Sequence, residues 1–306
     1  MNLHSISFLF VLFLLSAAIG CKDPSFIPEP QPDDTVFAFI GDYGDSGNKA
    51  RKVATMVKDW KPEFIITSGD NNYGGGRLST IKDNISQYYS NYIYNPDAPQ
   101  GYRCTGIADR AEENRFFPSP GNHDYDADIN ENYLKFFTLH GNERWYDFRK
   151  GSVHFFSLDS NREEDFGRMR AWLEETVAAS DAPFKVVKFH HPSFSVSKHG
   201  NHPSMQWNWA ELGICAVLTG HEHTYQHIVE KAYPAVHYIV NGLGGRKETY
   251  SCSQNPLDEN LFDVYCYNDK HGAVRAVSNE ETLTFEFYSV EAGGRFIDEV
   301  VIEKPE

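Results

Sequence analysis

The chain has 306 residues, 41% of them apolar and 14% aromatic, enough for one large α/β domain or two small ones and too apolar for disorder throughout. A formal charge of −15 and a pI near 5.3 argue against nucleic acid or an anionic membrane surface as the main partner, because both would be repelled. A phosphate-bearing substrate meets the same repulsion, so a site for one needs local positive charge, which bound metal ions supply.

Residues 1 to 20 hold no Lys, Arg, Asp or Glu, and Phe8 to Leu15 form an apolar stretch followed by small residues up to Cys21. This reads as an export signal over 1 to 20. Ala18-Ile19-Gly20-Cys21 looks like a lipobox, in which Cys21 would be lipidated after cleavage and anchor the chain to a membrane. The alternative is a simple signal peptide with an incidental Cys21. Residues 21 to 34, with Pro24, Pro28, Pro30 and Pro32, form a stiff linker. Both readings put the domain over 35 to 306 outside the cytoplasm, as a periplasmic or cell-surface lipoprotein or else as a secreted protein. The sequence leaves the oligomeric state open, and a monomer is compatible with it.

Short apolar runs at Val36 to Ile40, Phe64 to Ile66, Val153 to Leu158, Val186 to Phe189, Ala216 to Leu218 and Tyr238 to Val240 read as buried strands. Helical patterns lie between them at Lys49 to Trp60 and Gly167 to Ala179, with others near Ser79 to Tyr92, Ile107 to Asn114 and Ile129 to Phe137. Ala273 to Ile302 alternates like antiparallel strands. The class is α/β, with stacked sheets covered by helices. Of the cysteines after the leader, Cys252 and Cys266 flank a polar loop and could pair in an oxidising compartment, whereas Cys215 lies in an apolar run and reads as a buried thiol.

Polar chemistry follows the apolar runs. Gly41-Asp42, Gly69-Asp70, His190-His191 and Gly220-His221 sit directly or within a few residues after a strand, where open α/β sheets bind ligands. Gly121-Asn122-His123-Asp124 puts an amide, an imidazole and a carboxylate in one constrained turn. In Gly220-His221-Glu222-His223 the two histidines are two apart and face one side of an extended segment, able to serve one or two metals. By the same alternation His191 is expected to face away from His190, and His202 reads as a loop residue.

The ordered set Gly-Asp-x-Gly, Gly-Asp-x-x-Tyr, Gly-Asn-His-Asp, Val-x-x-His and Gly-His-x-His resembles the calcineurin-like metallophosphoesterases over about residues 35 to 300. Tyr73 points to the purple acid phosphatase branch of the tartrate-resistant type, and His199-Gly200 after His190 is similar to its short animal-type enzymes. The resemblance implies a four-layer αββα sandwich of two mixed β-sheets flanked by helices. It implies two metal ions, Fe(III) with Fe(II), Zn(II) or Mn(II). Asp42, Tyr73 and His223 would hold the first, Asn122, His190 and His221 the second, and Asp70 would bridge them. A metal-activated hydroxide would then hydrolyse small phosphate monoesters. His123 and His199 are the candidate acids, with Asp124 fixing the tautomer of His123. A phosphodiesterase or nucleotidase of the same fold is the nearest alternative. A catalytically silent surface protein would lack ligands, and every ligand position is filled.

Overall fold

Side chains alternate along the strand at Thr35–Ile40: Phe37 and Phe39 enter one buried cluster, Ala38 and Ile40 another. A strand apolar on both faces needs cover on both. The same split recurs at Phe155 and Phe156, at Val186 and Val187, and at Leu218 and Val217. Two sheets therefore face each other across one cluster, and each needs its own outer layer.

The computed structural model describes residues 30 to 104, 111 to 255 and 259 to 305. The leader, Cys21 and the first four residues of the helix expected over Ile107 to Asn114 lie outside the described residues, and Ala111 to Asn114 are not helical. In chain order the elements are β1 (Thr35–Ile40), α1 (Asn48–Asp59), β2 (Phe64–Thr67), α2 (Leu78–Ile81) and α3 (Gln87–Tyr89), β3 (Phe116–Phe117), α4 (Asn122–Tyr125), α5 (Ile129–Phe136), β4 (Tyr146–Lys150) and β5 (Val153–Ser157). They continue with α6 (Phe166–Ala178), β6 (Phe184–Lys188), β7 (Ala216–Thr219), β8 (Tyr225–Glu230), β9 (His237–Asn241), β10 (Leu261–Tyr267), β11 (Gly272–Ser278), β12 (Thr282–Ser289) and β13 (Arg295–Glu303).

One sheet has six strands in the order β13-β12-β11-β1-β2-β3, the other seven in the order β10-β8-β9-β7-β6-β5-β4. Both are mixed: β1, β2 and β3 run parallel and β5, β6, β7 and β9 run parallel, while the remaining pairings are antiparallel. Helix α1 buries Val53, Ala54 and Val57 against the outer face of the first sheet, at the spacing that gives a helix one apolar stripe. Helix α6 buries Met169, Leu173 and Val177 against the second. The architecture is the four-layer αββα sandwich. A turn of π-helix at Lys82–Ser86 interrupts the helix expected near Ser79 to Tyr92, and the two-residue β3 together with β4, β8 and β10 lack the compact apolar run that marks β1, β2, β5, β6, β7 and β9.

The parallel strands matter most for function. They end on one edge of the sandwich, and the loops beyond β1, β2, β3, β6 and β7 carry Asp42, Asp70, Asn122, His190 and His221. A disulfide joins Cys252 to Cys266 with Cα atoms 5.8 Å apart, and Cys104 and Cys215 are free and buried. It ties the loop carrying Tyr250 to β10. Between the sheets, Phe155 meets Phe37 edge-on at 5.2 Å and Phe64 at 5.7 Å, and stacks on Phe148 at 5.0 Å. Phe155→Ala should therefore cost about 3–5 kcal/mol in equilibrium denaturation. A cost under about 1 kcal/mol would mean that this layer does not hold the sheets together.

Candidate metal centre

Three of the loops turn the chain in the same way. Asp42, Asp70 and His221 have φ of 53°, 50° and 67°, a left-handed conformation uncommon for residues with a side chain. Each costs about 1–3 kcal/mol and persists only where the surroundings enforce it. The turn sends the three side chains into one crevice between the sheets. Backbone must approach closely for them to meet. A Cβ on Gly121 would lie 2.1 Å from the Asp70 nitrogen, and one on Gly220 would lie 2.6 Å from an Asp42 carboxylate oxygen.

In the crevice, Asp42, Asp70 and His190 each bring a ligand atom within 4.8 Å of the others, and all three are buried. On one side the Tyr73 hydroxyl donates to Asp42 Oδ1 at 2.9 Å, and His223 Nε2 lies 3.2 Å from that hydroxyl and 3.4 Å from Asp42 Oδ1. On the other, His190 Nε2 lies 3.0 Å from Asn122 Oδ1, 3.4 Å from Asp70 Oδ1 and 3.2 Å from His221 Nδ1. Asp70 stands between the two groups. The seven side chains meet in one crevice, Asp42, Tyr73 and His223 on one side, Asn122, His190 and His221 on the other and Asp70 in the middle.

Tautomers show what this arrangement is for. His190 Nδ1 is 2.9 Å from the Ser68 carbonyl, and His223 Nδ1 is 2.8 Å from the Glu248 carbonyl. A carbonyl can only accept, so in each neutral ring Nδ1 carries the proton and Nε2 presents a lone pair to the crevice. Lone pairs of His190 Nε2, Asn122 Oδ1 and Asp70 Oδ1 then face one another without protons between them. A cation relieves that repulsion, and the mixture of imidazole, amide, carboxylate and phenol oxygen suits a transition metal. The residues fit two such ions.

Electrostatics agree. Burial drives the Asp42 carboxyl up, but hydrogen bonding with His223 and the charges of His190 and His223 outweigh it, so it ionises more readily than usual. Burial disfavours the imidazolium of His190, yet Asp70 and Asp42 raise its affinity for a proton; the pocket attracts positive charge. Burial, then the charges of Asp42 and Asp70, push the Tyr73 phenol well above its ordinary range. Its oxygen would lose the proton only on binding a strong Lewis acid, which stabilises the phenolate left behind.

The remaining expected residues are placed as follows. His123 lies beside Tyr73, ring centroids 4.8 Å apart, and its backbone N–H donates to Asp70 at 2.9 Å. The carboxylate paired with its ring is Asp126, 2.7 Å from Nδ1, rather than Asp124. Asp124 instead accepts from the backbone N–H groups of Gly121 and Asn71 and from the Asn71 amide, which braces the Asn122 turn. Burial, then the charge of Asp70, push its carboxyl up to about 6. The α4 turn brings residues i and i+3 onto one face, so Asp126 reaches the ring. His199 stands at the mouth, its ring centroid 4.3 Å from that of His221.

Four further residues join the site that sequence reasoning does not place there. His191 does not turn away. Strand β6 ends at Lys188, so alternation no longer governs it, and its ring lies 4.5 Å from that of His221 while Nδ1 meets Ser160 Oγ at 2.9 Å. His202 stacks on His191 at 5.0 Å instead of lying free in its loop. The Arg246 guanidinium sits 4.3 Å over the Tyr73 ring and brings a cation to the first group. Glu222, between the two histidines and fully buried, accepts from the backbone N–H groups of His199 and Gly200 at 2.6 and 2.9 Å. The His-x-His spacing held that signal, because its middle residue must face the other way.

Two measurements check this site. Glu222→Ala leaves two part-buried backbone donors without their buried acceptor and should cost about 1 kcal/mol in equilibrium denaturation; unchanged stability would contradict its role. Stripping bound metal with a chelator should lower the melting temperature, since ions at a hundred times their dissociation constant stabilise by about 2.7 kcal/mol. Melting curves that coincide with and without chelator would contradict the metal fit.

The chain is 24% identical over 305 residues to human tartrate-resistant acid phosphatase type 5, covering 85% of this chain and 88% of that protein. It is 23% identical over 324 residues to purple acid phosphatase 17 of Arabidopsis thaliana, covering 94% and 90%. Among solved structures it resembles the purple acid phosphatase PPD1 of yellow lupin, with a TM-score of 0.68 at 14% identity over 90% of this chain, and spans 55% of that longer chain. The fold also matches GAP50, the anchor in the inner membrane complex of Plasmodium, with a TM-score of 0.65 at 17% identity over 89% and 90%. These relatives fit the purple acid phosphatase branch. The calcineurin-like phosphoesterase model matches residues 27 to 225, and the chain belongs to the calcineurin-like phosphoesterase family.

Proposed function

We propose that the protein is an acid phosphatase that hydrolyses small phosphate monoesters at a dinuclear centre containing ferric iron. The observation that carries this reading is the buried Tyr73 hydroxyl, 2.9 Å from Asp42 and 3.2 Å from His223 Nε2. A phenol so disfavoured as an anion belongs beside the strongest available Lewis acid. The second ion is Fe(II), Zn(II) or Mn(II).

Bound here, the ions supply Lewis-acid charge to the phosphoryl oxygens and acidify water. Asp42, Tyr73 and His223 would hold the first, Asn122, His190 and His221 the second, with Asp70 placed between them. Lys198 adds fixed positive charge at the rim of a chain that is otherwise strongly acidic, and Arg246, ion-paired with Asp45 and Glu248, lies over the Tyr73 ring. His199 donates a proton to the departing alkoxide and His123 hydrogen-bonds a substrate oxygen. Burial, then the charge of Lys198, push the His199 pKa below its ordinary range. Only the protonated ring can act as the acid, so turnover present at low pH is lost as pH rises through that lowered value. An acid optimum follows. The disulfide between Cys252 and Cys266 supports an oxidising compartment and, with the leader, export from the cytoplasm; lipidation at Cys21 is part of the same proposal.

The purified protein should contain iron, show a visible absorption band that Tyr73→Phe abolishes, and turn over p-nitrophenyl phosphate faster than the bis ester at acid pH. His199→Asn should lower kcat about 10²-fold, the lower end for a general acid, and remove the alkaline limb of its pH profile. A colourless Zn- or Mn-loaded protein that prefers the diester would assign it to the phosphodiesterase alternative and overturn the ferric reading.

A further inference from the structure

Lys188 is fully buried in the layer between the sheets, at the end of β6. Its Nζ donates to Ser119 Oγ at 2.9 Å, to Ser157 Oγ at 3.1 Å and to the Thr67 carbonyl at 3.3 Å. The Tyr146 ring lies 5.4 Å away. Among the described residues no carboxylate pairs with it, and burying an amine without a counter-charge is costly.

The neighbouring oxygens do not need this lysine. The Thr67 carbonyl also accepts from the Ser119 N–H at 3.0 Å, and the Ser119 and Ser157 hydroxyls are 2.8 Å apart. A side chain that is costly to bury and dispensable to its partners is retained for something other than stability. Its position indicates what. Thr67 ends β2 three residues before Asp70, Ser119 follows β3 three residues before Asn122, and Lys188 itself ends β6 two residues before His190. One nitrogen ties together the strand ends that carry three of the four residues assigned to the second ion. Ser157, which ends β5, lies three residues before Ser160, the partner of His191.

We propose that Lys188 is the positioning residue of the second metal site, setting the spacing of Asp70, Asn122 and His190 from beneath. This rests on the dinuclear reading above. It touches no reacting atom and acts through the loops it joins. Removing it lets the three strand ends relax independently, which loosens the second site and leaves Asp42, Tyr73 and His223 in place.

The test is metal titration of the full chain by calorimetry with Zn(II) or Mn(II), alongside thermal unfolding, for wild type, Lys188→Met and Ser119→Ala. Lys188→Met should stay folded, bind the second ion about tenfold more weakly, the lower end for residues that orient metal ligands, lose less affinity for the first, which shares only Asp70 with these strand ends, and regain its kcat at saturating metal. Ser119→Ala should weaken the second ion by a smaller factor, and carries the test alone if Lys188→Met does not fold. Second-ion affinity equal to wild type in the folded variants would overturn the positioning role and leave the dinuclear reading intact. Wild-type protein that takes up fewer than two ions would overturn the dinuclear reading, and the role of Lys188 with it.

Discussion

The crevice crowds buried carboxylates, imidazole nitrogens and an amide oxygen together with few protons to separate them. His190 Nε2 has Asn122 Oδ1 at 3.0 Å, His221 Nδ1 at 3.2 Å and Asp70 Oδ1 at 3.4 Å, while its own proton is committed to the Ser68 carbonyl on the far side of the ring. Such an arrangement is repulsive in itself and becomes favourable only around a cation. Much of the surrounding structure maintains it. Left-handed turns at Asp42, Asp70 and His221 aim the side chains, and glycines at 121 and 220 remove the Cβ atoms that would hold the loops apart. The apolar layer between two mixed sheets makes the strand ends stiff enough to bear the strain.

Around that constraint lies a ring of supports, each fixing one degree of freedom. Carbonyls of Ser68 and Glu248 choose the tautomers of His190 and His223. Asp124 holds the turn that carries Asn122, Asp126 holds the ring of His123, and Glu222 holds the backbone beneath His199. The disulfide belongs to the same set. It anchors the loop whose Tyr250 ring stacks on His223 at 4.3 Å and carries Lys198 over its face at 4.3 Å. Precision at the centre thus depends on contacts from several loops that are distant in sequence.

That dependence explains what the sequence makes legible. Asp42, Asp70, Asn122, His221 and His223 are readable because each sits in a short glycine-containing motif, and the buried strands before them are readable as compact apolar runs. Strands β8 and β10 are not, since Gln226, His227, Asp263 and Asn268 in and beside them break the apolar pattern. The partner of His123 is misread from sequence because adjacency favours Asp124, whereas a helical turn delivers residue i+3. His191 is misread because alternation was carried past the last residue of β6. Lys188, Arg246 and Tyr250 carry no local motif, and only the fold brings them to the site.

Crystals of the protein grown with its native metal complement, measured above and below the iron, zinc and manganese absorption edges, test the account most directly. It requires two anomalous peaks about 3.5–4 Å apart, the spacing of two-metal sites, one among Asp42, Tyr73 and His223, the other among Asn122, His190 and His221, with Asp70 reaching both. A single peak, or peaks outside this crevice, would contradict it.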